Sequence, residues 1–314
     1  MRFLIGLVTT LALLYGGYWV AGRTAKVAAI DGAITQLRET GWQVETADIA
    51  TRGFPSRFDT TFEEPRLTAP SGMIAWQAPW AQLLAVSYLP NRAILALADS
   101  QTLTVAGEPV AIATRDMRAS VRVAPATRLP LEAVTVEAGP TALLGPGWEA
   151  RFGRLLAAIR DRETPGDYDL YLDLSQIELP VEAPSLGAAL PLVRLEGALT
   201  LDAPLDRHTT AVRPLRLDLR ELRMVWGPST ALVTADLTWT DGLPNGPVSL
   251  DVTAWETLLG GLTEAGLLTD AQAQRNADAF RLSAGESDTV TLEFEVREGI
   301  LFFGFFPILS IYRQ

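Results

Sequence analysis

The sequence predicts a mainly β fold with some α-helix, in which an N-terminal transmembrane helix is followed by curved antiparallel sheets covered by a few helices. Two observations lead to this prediction. Residues 3–20 carry no charged side chain, and a helix needs about 20 apolar residues to cross a bilayer. From Trp42 onward, apolar and polar residues alternate in segments separated by Pro, Gly, Asn or Asp. This pattern is typical of strands joined by turns.

Residues 1–22 are interpreted as a signal anchor. Tyr15, Tyr18 and Trp19 lie near the end of the uncharged run, where ring side chains favour the headgroup region of a membrane. A cleaved signal peptide is the alternative, but Trp19 and Val20 lie where small residues would be expected before a cleavage site. The sequence leaves cleavage open. A single-pass inner-membrane protein with its bulk in the periplasm is expected, because a large domain after one N-terminal span is usually translocated.

Residues 23–41 form a second helical segment with an amphipathic pattern. Val27, Ile30, Ile34 and Leu37 follow one another at three- and four-residue steps, the spacing of one helix face. We expect this face to stand off the membrane or to pack on the edge of the following domain.

Two β-rich halves are predicted next, residues 42–162 and residues 163–314. The first half has short strand candidates and two segments interpreted as helices, residues 80–86 between prolines and residues 148–160 with an apolar stripe. The second half has longer alternating segments and a helical pair within residues 255–280. Both halves run from strands to helix, which suggests an internal structural duplication, although no fixed-period repeat is visible.

The composition excludes several kinds of chemistry. The chain has no Cys, one His and a formal net charge of −11, so disulfides, cysteine zinc sites and thiol nucleophiles are excluded. Lys26 is the only lysine, and its position near the N-terminus argues against a P-loop. A net negative chain is also a poor match for nucleic acid, which is bound through clustered Lys and Arg. No metal or other cofactor is expected.

Two groups of polar residues are candidates for catalysis. Asp167, Asp169 and Asp173 lie on one face of a predicted strand, and paired carboxylates can hydrolyse glycosides. The same alternation is typical of a solvated strand face, which is the preferred interpretation. His208 follows Asp206 between two predicted strands, and without a nucleophile-elbow motif we interpret it as a solvated loop residue. No catalytic residue is predicted.

The C-terminal run, residues 300–311, is apolar on both faces of its predicted strand. A strand of this kind has to be covered on both sides or to line an apolar surface. A buried edge strand is the first interpretation. The second is the wall of an apolar groove, in which four aromatic residues would bind the ligand: Phe302, Phe303, Phe305 and Phe306.

Three short segments resemble a known family. They are residues 53–58 (Gly-Phe-Pro-Ser-Arg-Phe), residues 243–250 (Leu-Pro-Asn-Gly-Pro-Val-Ser-Leu) and residues 298–304 (Glu-Gly-Ile-Leu-Phe-Phe-Gly). With the N-terminal anchor, they resemble the alphaproteobacterial envelope family called domain of unknown function 2125. The ending is also similar to AsmA-like envelope proteins, which build open β-grooves around lipid chains. Neither resemblance implies catalytic residues.

The sequence thus favours a membrane-anchored envelope protein that is not an enzyme and that binds lipid or another apolar ligand along a curved sheet. Two alternatives stay open. One is a structural or assembly factor that contacts other envelope proteins. The other is an envelope hydrolase that uses carboxylates such as Asp167 and Asp169.

Overall fold

The computed structural model describes residues 2–89, 91–181, 183–209 and 211–310. Strand makes up 51% of the structure and helix 20%, and the sheet is antiparallel, which confirms the predicted mainly β class. The chain divides into two compact units. Unit 1 consists of Met1–Arg122 and Leu143–Gly147, and unit 2 of Val123–Ala142 and Trp148–Gln314.

The first helix, α1, runs without interruption from Arg2 to Glu39. The predicted anchor and the following amphipathic segment are therefore one continuous helix. This helix is long and apolar enough to cross a membrane. Beyond its end, Gly41 has a φ of 91°, a left-handed conformation that glycine adopts at little cost and that turns the chain into the first strand.

Ten short strands follow α1. They are β1 (Gln43–Glu45), β2 (Asp48–Arg52), β3 (Asp59–Glu63), β4 (Arg66–Thr68), β5 (Ile74–Gln77), β6 (Trp80–Leu84), β7 (Arg92–Leu97), β8 (Ser100–Val105), β9 (Glu108–Ala113) and β10 (Arg118–Val123). They form two antiparallel ladders. One has the order β2–β3–β6–β7–β10 and the other β1–β4–β5–β8–β9.

The two ladders of unit 1 are halves of one bent meander. Each arm of the meander contributes a strand to both ladders and breaks between them, as at Glu64, where φ is 45°. Pro65 and Pro79 lie beside two of these breaks. Proline cannot donate a hydrogen bond to a ladder, which suits these two prolines to positions between strands.

The remaining strands continue as β11 (Leu131–Ala138), β12 (Thr141–Gly145), β13 (Trp148–Phe152), β14 (Arg154–Asp161), β15 (Asp167–Glu178), β16 (Ala189–Leu201), β17 (Pro214–Trp226), β18 (Ser229–Thr240), β19 (Leu243–Thr253), β20 (Thr289–Arg297), β21 (Ile300–Phe303) and β22 (Phe306–Ser310). In unit 2, β11 pairs with β14, and β14 to β22 then pair in chain order. The predicted boundary between the halves, at 162/163, lies in the connection between β14 and β15.

Two helices interrupt the meander of unit 2 between β19 and β20. They are α2 (Trp255–Glu264) and α3 (Asp270–Ala284), so the helical pair predicted within residues 255–280 is confirmed. Thr269 and Gln272 form a reciprocal capping box at the start of α3, which satisfies two backbone donors. Trp255, Leu258 and Leu259 of α2 are buried in the core cluster at this end of the sheet.

Two predicted helices are wrong. Residues 80–86 contain β6, which pairs with β3 on one side and β7 on the other. Residues 148–160 contain β13 and β14, and β14 is paired on both sides, with β11 and β15. In both segments the apolar residues fit a helical period and a strand period equally. Pairing with distant strands decides between the two.

Candidate apolar ligand site

An apolar cavity of about 310 Å³ lies between α1 and the bent meander of unit 1. The helix contributes Ile30, Ala33, Ile34 and Leu37, which lie on one face because they are three or four residues apart. The periodicity of the sequence predicts this apolar face, but it does not predict the cavity that the face covers.

The floor of the cavity comes from both ladders of the meander. It is formed by Val44, Phe62, Pro65, Leu67, Trp76, Ala81, Leu83, Leu95 and Leu97. The Nε1 atom of Trp76 donates a hydrogen bond to Oε1 of the buried Gln101 at 2.9 Å. The ring of Trp76 can therefore line the cavity while its single polar atom is satisfied.

Two cationic side chains fasten α1 to the meander on the N-terminal side of the cavity. Arg23 Nε donates to the carbonyl oxygen of Thr51 at 3.1 Å. Lys26 Nζ donates to the carbonyl oxygen of Leu83 at 3.1 Å and to that of Phe58. Charge-assisted hydrogen bonds of this kind are stronger than neutral ones, so they hold the helix at a fixed position above the sheet.

A second apolar surface lies on one face of the sheet in unit 2. Paired positions place one row of apolar side chains across six neighbouring strands: Leu172, Leu195, Leu222, Val233, Leu250 and Leu292. The first five are half-buried and Leu292 is buried. The opposite face carries ion pairs such as Arg194 with Asp173 at 2.8 Å and Arg216 with Asp236 at 2.7 Å.

The four predicted ligand-binding aromatics do not form one cluster. Phe303 is half-buried, and its ring centre lies 5.5 Å from that of Phe294. Phe302 lies under the guanidinium of Arg297 at 5.4 Å. Phe305 and Phe306, by contrast, are 91% and 73% exposed. Ligand binding by these residues stays a prediction.

The interpretation of residues 300–311 as a buried edge strand is wrong for its second part. All five residues of β22 are exposed, and β22 pairs with β21 at the end of the ladder. Ile311 lies outside the described residues. A terminal strand pairs on one side only, so the apolar composition of this run could not reveal how much of it would be covered.

Two of the three carboxylates on the predicted strand lie beside arginines. Asp173 is paired with Arg194, and Asp169 lies 3.7 Å from both Arg162 and Arg220. Across the described residues, no group of three or more His, Asp or Glu side chains is arranged to hold a metal ion.

His208 lies in the loop between β16 and β17, as the sequence indicated. Its backbone N–H donates to Oδ1 of Asp206 at 2.8 Å, and Arg207 Nε donates to its ring Nε2 at 3.0 Å. The Asp206 carboxylate also accepts a hydrogen bond from Arg128 at 2.6 Å. The Asp206 carboxylate thus accepts hydrogen bonds from the backbone of this loop and from Arg128.

Comparison with known proteins identifies a family and no characterised relative. One family model, described as an uncharacterized protein conserved in bacteria (DUF2125), matches residues 19–311. No curated protein matches the chain, and no solved structure matches it. The matched region includes the Gly-Phe-Pro segment, the whole meander of unit 1 and nearly all of unit 2. The chain therefore belongs to the DUF2125 family of uncharacterized bacterial proteins.

Proposed function

We propose that this protein is a membrane-anchored, non-enzymatic envelope protein that binds the acyl chain of a membrane lipid. In this proposal α1 anchors it in the inner membrane of an alphaproteobacterium, with the bulk of the chain in the periplasm. The cavity between α1 and the curved meander is the observation that carries the proposal. The proposal also takes the chain's ending to resemble that of AsmA-like envelope proteins, which implies the same ligand class.

The size and lining of the cavity fit a hydrocarbon chain. At about 310 Å³ it is roughly twice as large as an engineered apolar cavity of ~150 Å³ that stays dry and binds benzene. Among the described residues that line it, only Glu45 and Thr46 are polar. Each Å² of apolar surface that a ligand removes from water contributes about 25 cal/mol, so an aliphatic chain is favoured over a polar ligand.

The position of the cavity on α1 also favours a membrane lipid. The helix that forms its roof is the same helix whose N-terminal part is long and apolar enough to span a bilayer. The helical rise places Ile30 about 16 Å beyond Trp19. A lipid whose acyl chain enters the cavity is therefore drawn out of the bilayer while staying beside the anchor.

Photo-crosslinking of the full chain tests the proposal. The protein is reconstituted in phosphatidylcholine vesicles that contain a phospholipid with a diazirine at the end of its acyl chain, and labelled peptides are mapped by mass spectrometry. We expect labelling of the cavity, for example around Ile34 and Leu83, in addition to residues 3–20. Labelling confined to residues 3–20 would contradict the proposal.

A matched pair of variants separates the cavity from the outer face of α1. Ala33→Trp places a large side chain into the cavity, and we expect the added bulk to reduce cavity labelling about tenfold. Ala28 lies on the opposite face of the helix and is exposed, so Ala28→Trp should leave the labelling unchanged. Equal labelling in both variants would count against binding in the cavity.

A protein partner is the second candidate, and β22 is the observation that favours it. Its Phe306, Ile308 and Leu309 side chains are exposed on a terminal strand. Exposed strand edges with apolar side chains are sites of pairing with another chain. In this version of the proposal the protein is an assembly factor, and β22 binds another envelope protein.

Crosslinking in cells tests the second candidate. A photoreactive amino acid at Phe306 should yield a discrete crosslinked protein, whereas the same amino acid at Leu282 should not. Leu282 is 90% exposed on α3, so it controls for exposure alone. The same crosslinks at both positions, or none at Phe306, would remove the support for a partner at β22.

A further inference from the structure

Ring side chains of α1 bind the loop that contains the Gly-Phe-Pro motif. The hydroxyl of Tyr15 donates to the carbonyl oxygen of Pro55 at 3.0 Å, and Trp19 Nε1 donates to that of Arg57 at 2.9 Å. The ring of Phe54 meets that of Trp19 edge to face, with the ring centres 5.4 Å apart. The motif is thus attached to α1 at the end of its apolar run.

A second loop is joined to the first at the same level of α1. Tyr18 donates through its hydroxyl to the carbonyl oxygen of Ser87 at 2.6 Å, and the Ser87 N–H donates to the carbonyl oxygen of Ser56 at 2.9 Å. Ser87 is fully buried between them. We call residues 53–58 and 86–89 together the platform.

The platform carries exposed apolar side chains. Phe54 is 61% exposed and Tyr88 is 68% exposed, and Leu89 is exposed as well. Large apolar side chains that cluster on a surface mark a site of interaction with a protein or a membrane.

The length of α1 places the platform against a bilayer. The side chains of residues 3–15 are exposed, and this stretch rises only about 20 Å. The hydrocarbon core is about 30 Å thick. If α1 crosses the membrane, residues 3–15 therefore span about 20 Å of the hydrocarbon core and leave about 10 Å of it. This last part of the core lies at the level where Tyr15, Tyr18 and Trp19 bind the platform.

We propose that the platform is a membrane-docking surface, in which Phe54, Tyr88 and Leu89 insert into the headgroup and acyl boundary of the bilayer that α1 crosses. This inference rests on the proposed anchoring by α1 and is separate from lipid binding in the cavity. Interfacial segments insert about 5–10 Å into this boundary, which matches the thickness that α1 alone leaves uncovered. In this proposal, docking fixes unit 1 relative to the membrane surface.

Fluorescent labels at single cysteines test the docking. The chain has no Cys, so Phe54→Cys and Tyr88→Cys each allow one environment-sensitive nitrobenzoxadiazole label on the full chain. The labelled proteins are reconstituted in phosphatidylcholine vesicles that contain phosphatidylcholine spin-labelled near the carbonyl end of its acyl chain. We expect blue-shifted emission and quenching at least about twofold stronger than for a solvent-exposed position.

Two further labelled positions serve as controls. Leu282→Cys reports an exposed apolar position on α3, and Leu11→Cys reports the middle of the apolar run of α1. Strong quenching at Leu11 with solvent-like signals at both Phe54 and Tyr88 overturns the docking and leaves the anchor intact. A solvent-like signal at Leu11 overturns the anchor and the docking together. Because each platform variant leaves the other ring in place, quenching at either position supports docking.

Discussion

At the scale of single residues, Tyr168 connects the sheet of unit 2 to the loop after β16. Its side chain is fully buried, and its hydroxyl accepts a hydrogen bond from the backbone N–H of Leu205 at 2.7 Å. Burial raises the pKa of the Tyr168 phenol, so the hydroxyl stays neutral. The phenol both fills the core and satisfies a backbone donor that the loop leaves unpaired.

Tyr168→Phe should lower the free energy of unfolding by about 1–3 kcal/mol, because a backbone donor is left without its acceptor. Urea denaturation followed by circular dichroism measures the change. Tyr171→Phe is the control, since the Tyr171 hydroxyl lies at 3.5 Å from the Asp173 carboxylate, and it should change stability by less than about 0.5 kcal/mol. Equal effects of the two substitutions would contradict the assigned role.

The carboxylate of Asp206 should make stability depend on pH. The His208 N–H, followed by Arg128, holds the pKa of Asp206 below its ordinary value of 3.8. Because its pKa is lower in the folded chain than in the unfolded chain, the stabilisation is present above pH 3.8 and is lost as the pH falls through the lower value.

Asp206→Asn should therefore lower Tm at neutral pH, and the difference from the unsubstituted protein should shrink as the pH falls below 3.8, the ordinary value. Thermal denaturation across this range measures the effect. A difference in Tm that stays constant down to the most acidic condition would show that the charge of Asp206 is not involved.

At the scale of elements, α2 shows how two adjacent glycines can have opposite roles. A Cβ atom at Gly261 would lie 2.2 Å from Cδ1 of the buried Leu186, whereas nothing lies within 4 Å of a Cβ at Gly260. Gly261 therefore lets α2 approach the loop before β16 closely. Gly260 provides no such contact and only weakens the helix.

Gly261→Ala should destabilise the protein by about 1–3 kcal/mol through overpacking. Gly260→Ala should stabilise it by about 0.5–1 kcal/mol, because alanine is the better helix former. Thermal or urea denaturation of the two variants provides a matched comparison. Stabilisation by both substitutions would show that α2 can move away from Leu186 at little cost.

Some helices and strands can be predicted from local sequence patterns, and others cannot. The helical pair of unit 2 was predicted, and the long strands were predictable because their apolar and polar residues alternate over many positions. β14 was not, since Leu155, Leu156 and Ile159 fit a helical stripe, while Leu155, Ala157 and Ile159 equally fit a strand. β14 is a strand because it pairs with both β11 and β15. The local spacing of apolar residues does not predict this pairing with remote strands.

At the scale of the whole molecule, acidic residues outnumber basic residues. The net charge is −11 and the isoelectric point is about 4.7. Many arginines are paired with carboxylates, as Arg194 and Arg216 are in unit 2. Net charge governs solubility and nonspecific association, so the protein should avoid other polyanions near neutral pH.

The full chain in neutral detergent should therefore be least soluble near pH 4.7 and should not bind DNA. Light scattering across a pH series and an electrophoretic mobility shift at low salt measure these two properties. A salt-sensitive complex with DNA at neutral pH would indicate a cationic surface that the net charge conceals. Maximal scattering far from the isoelectric point would indicate that apolar surface controls association.

The sequence by itself determined the apolar N-terminal helix, the mainly antiparallel strand content, the family and the absence of cysteine chemistry. Only the tertiary structure decided that α1 roofs a cavity, that the platform meets the rings of α1, and that β22 lies exposed. The cavity joins Ile30, Leu67 and Leu97, which are distant in sequence. Periodicity shows which side chains share a face, but the pairing of remote strands decides what that face meets.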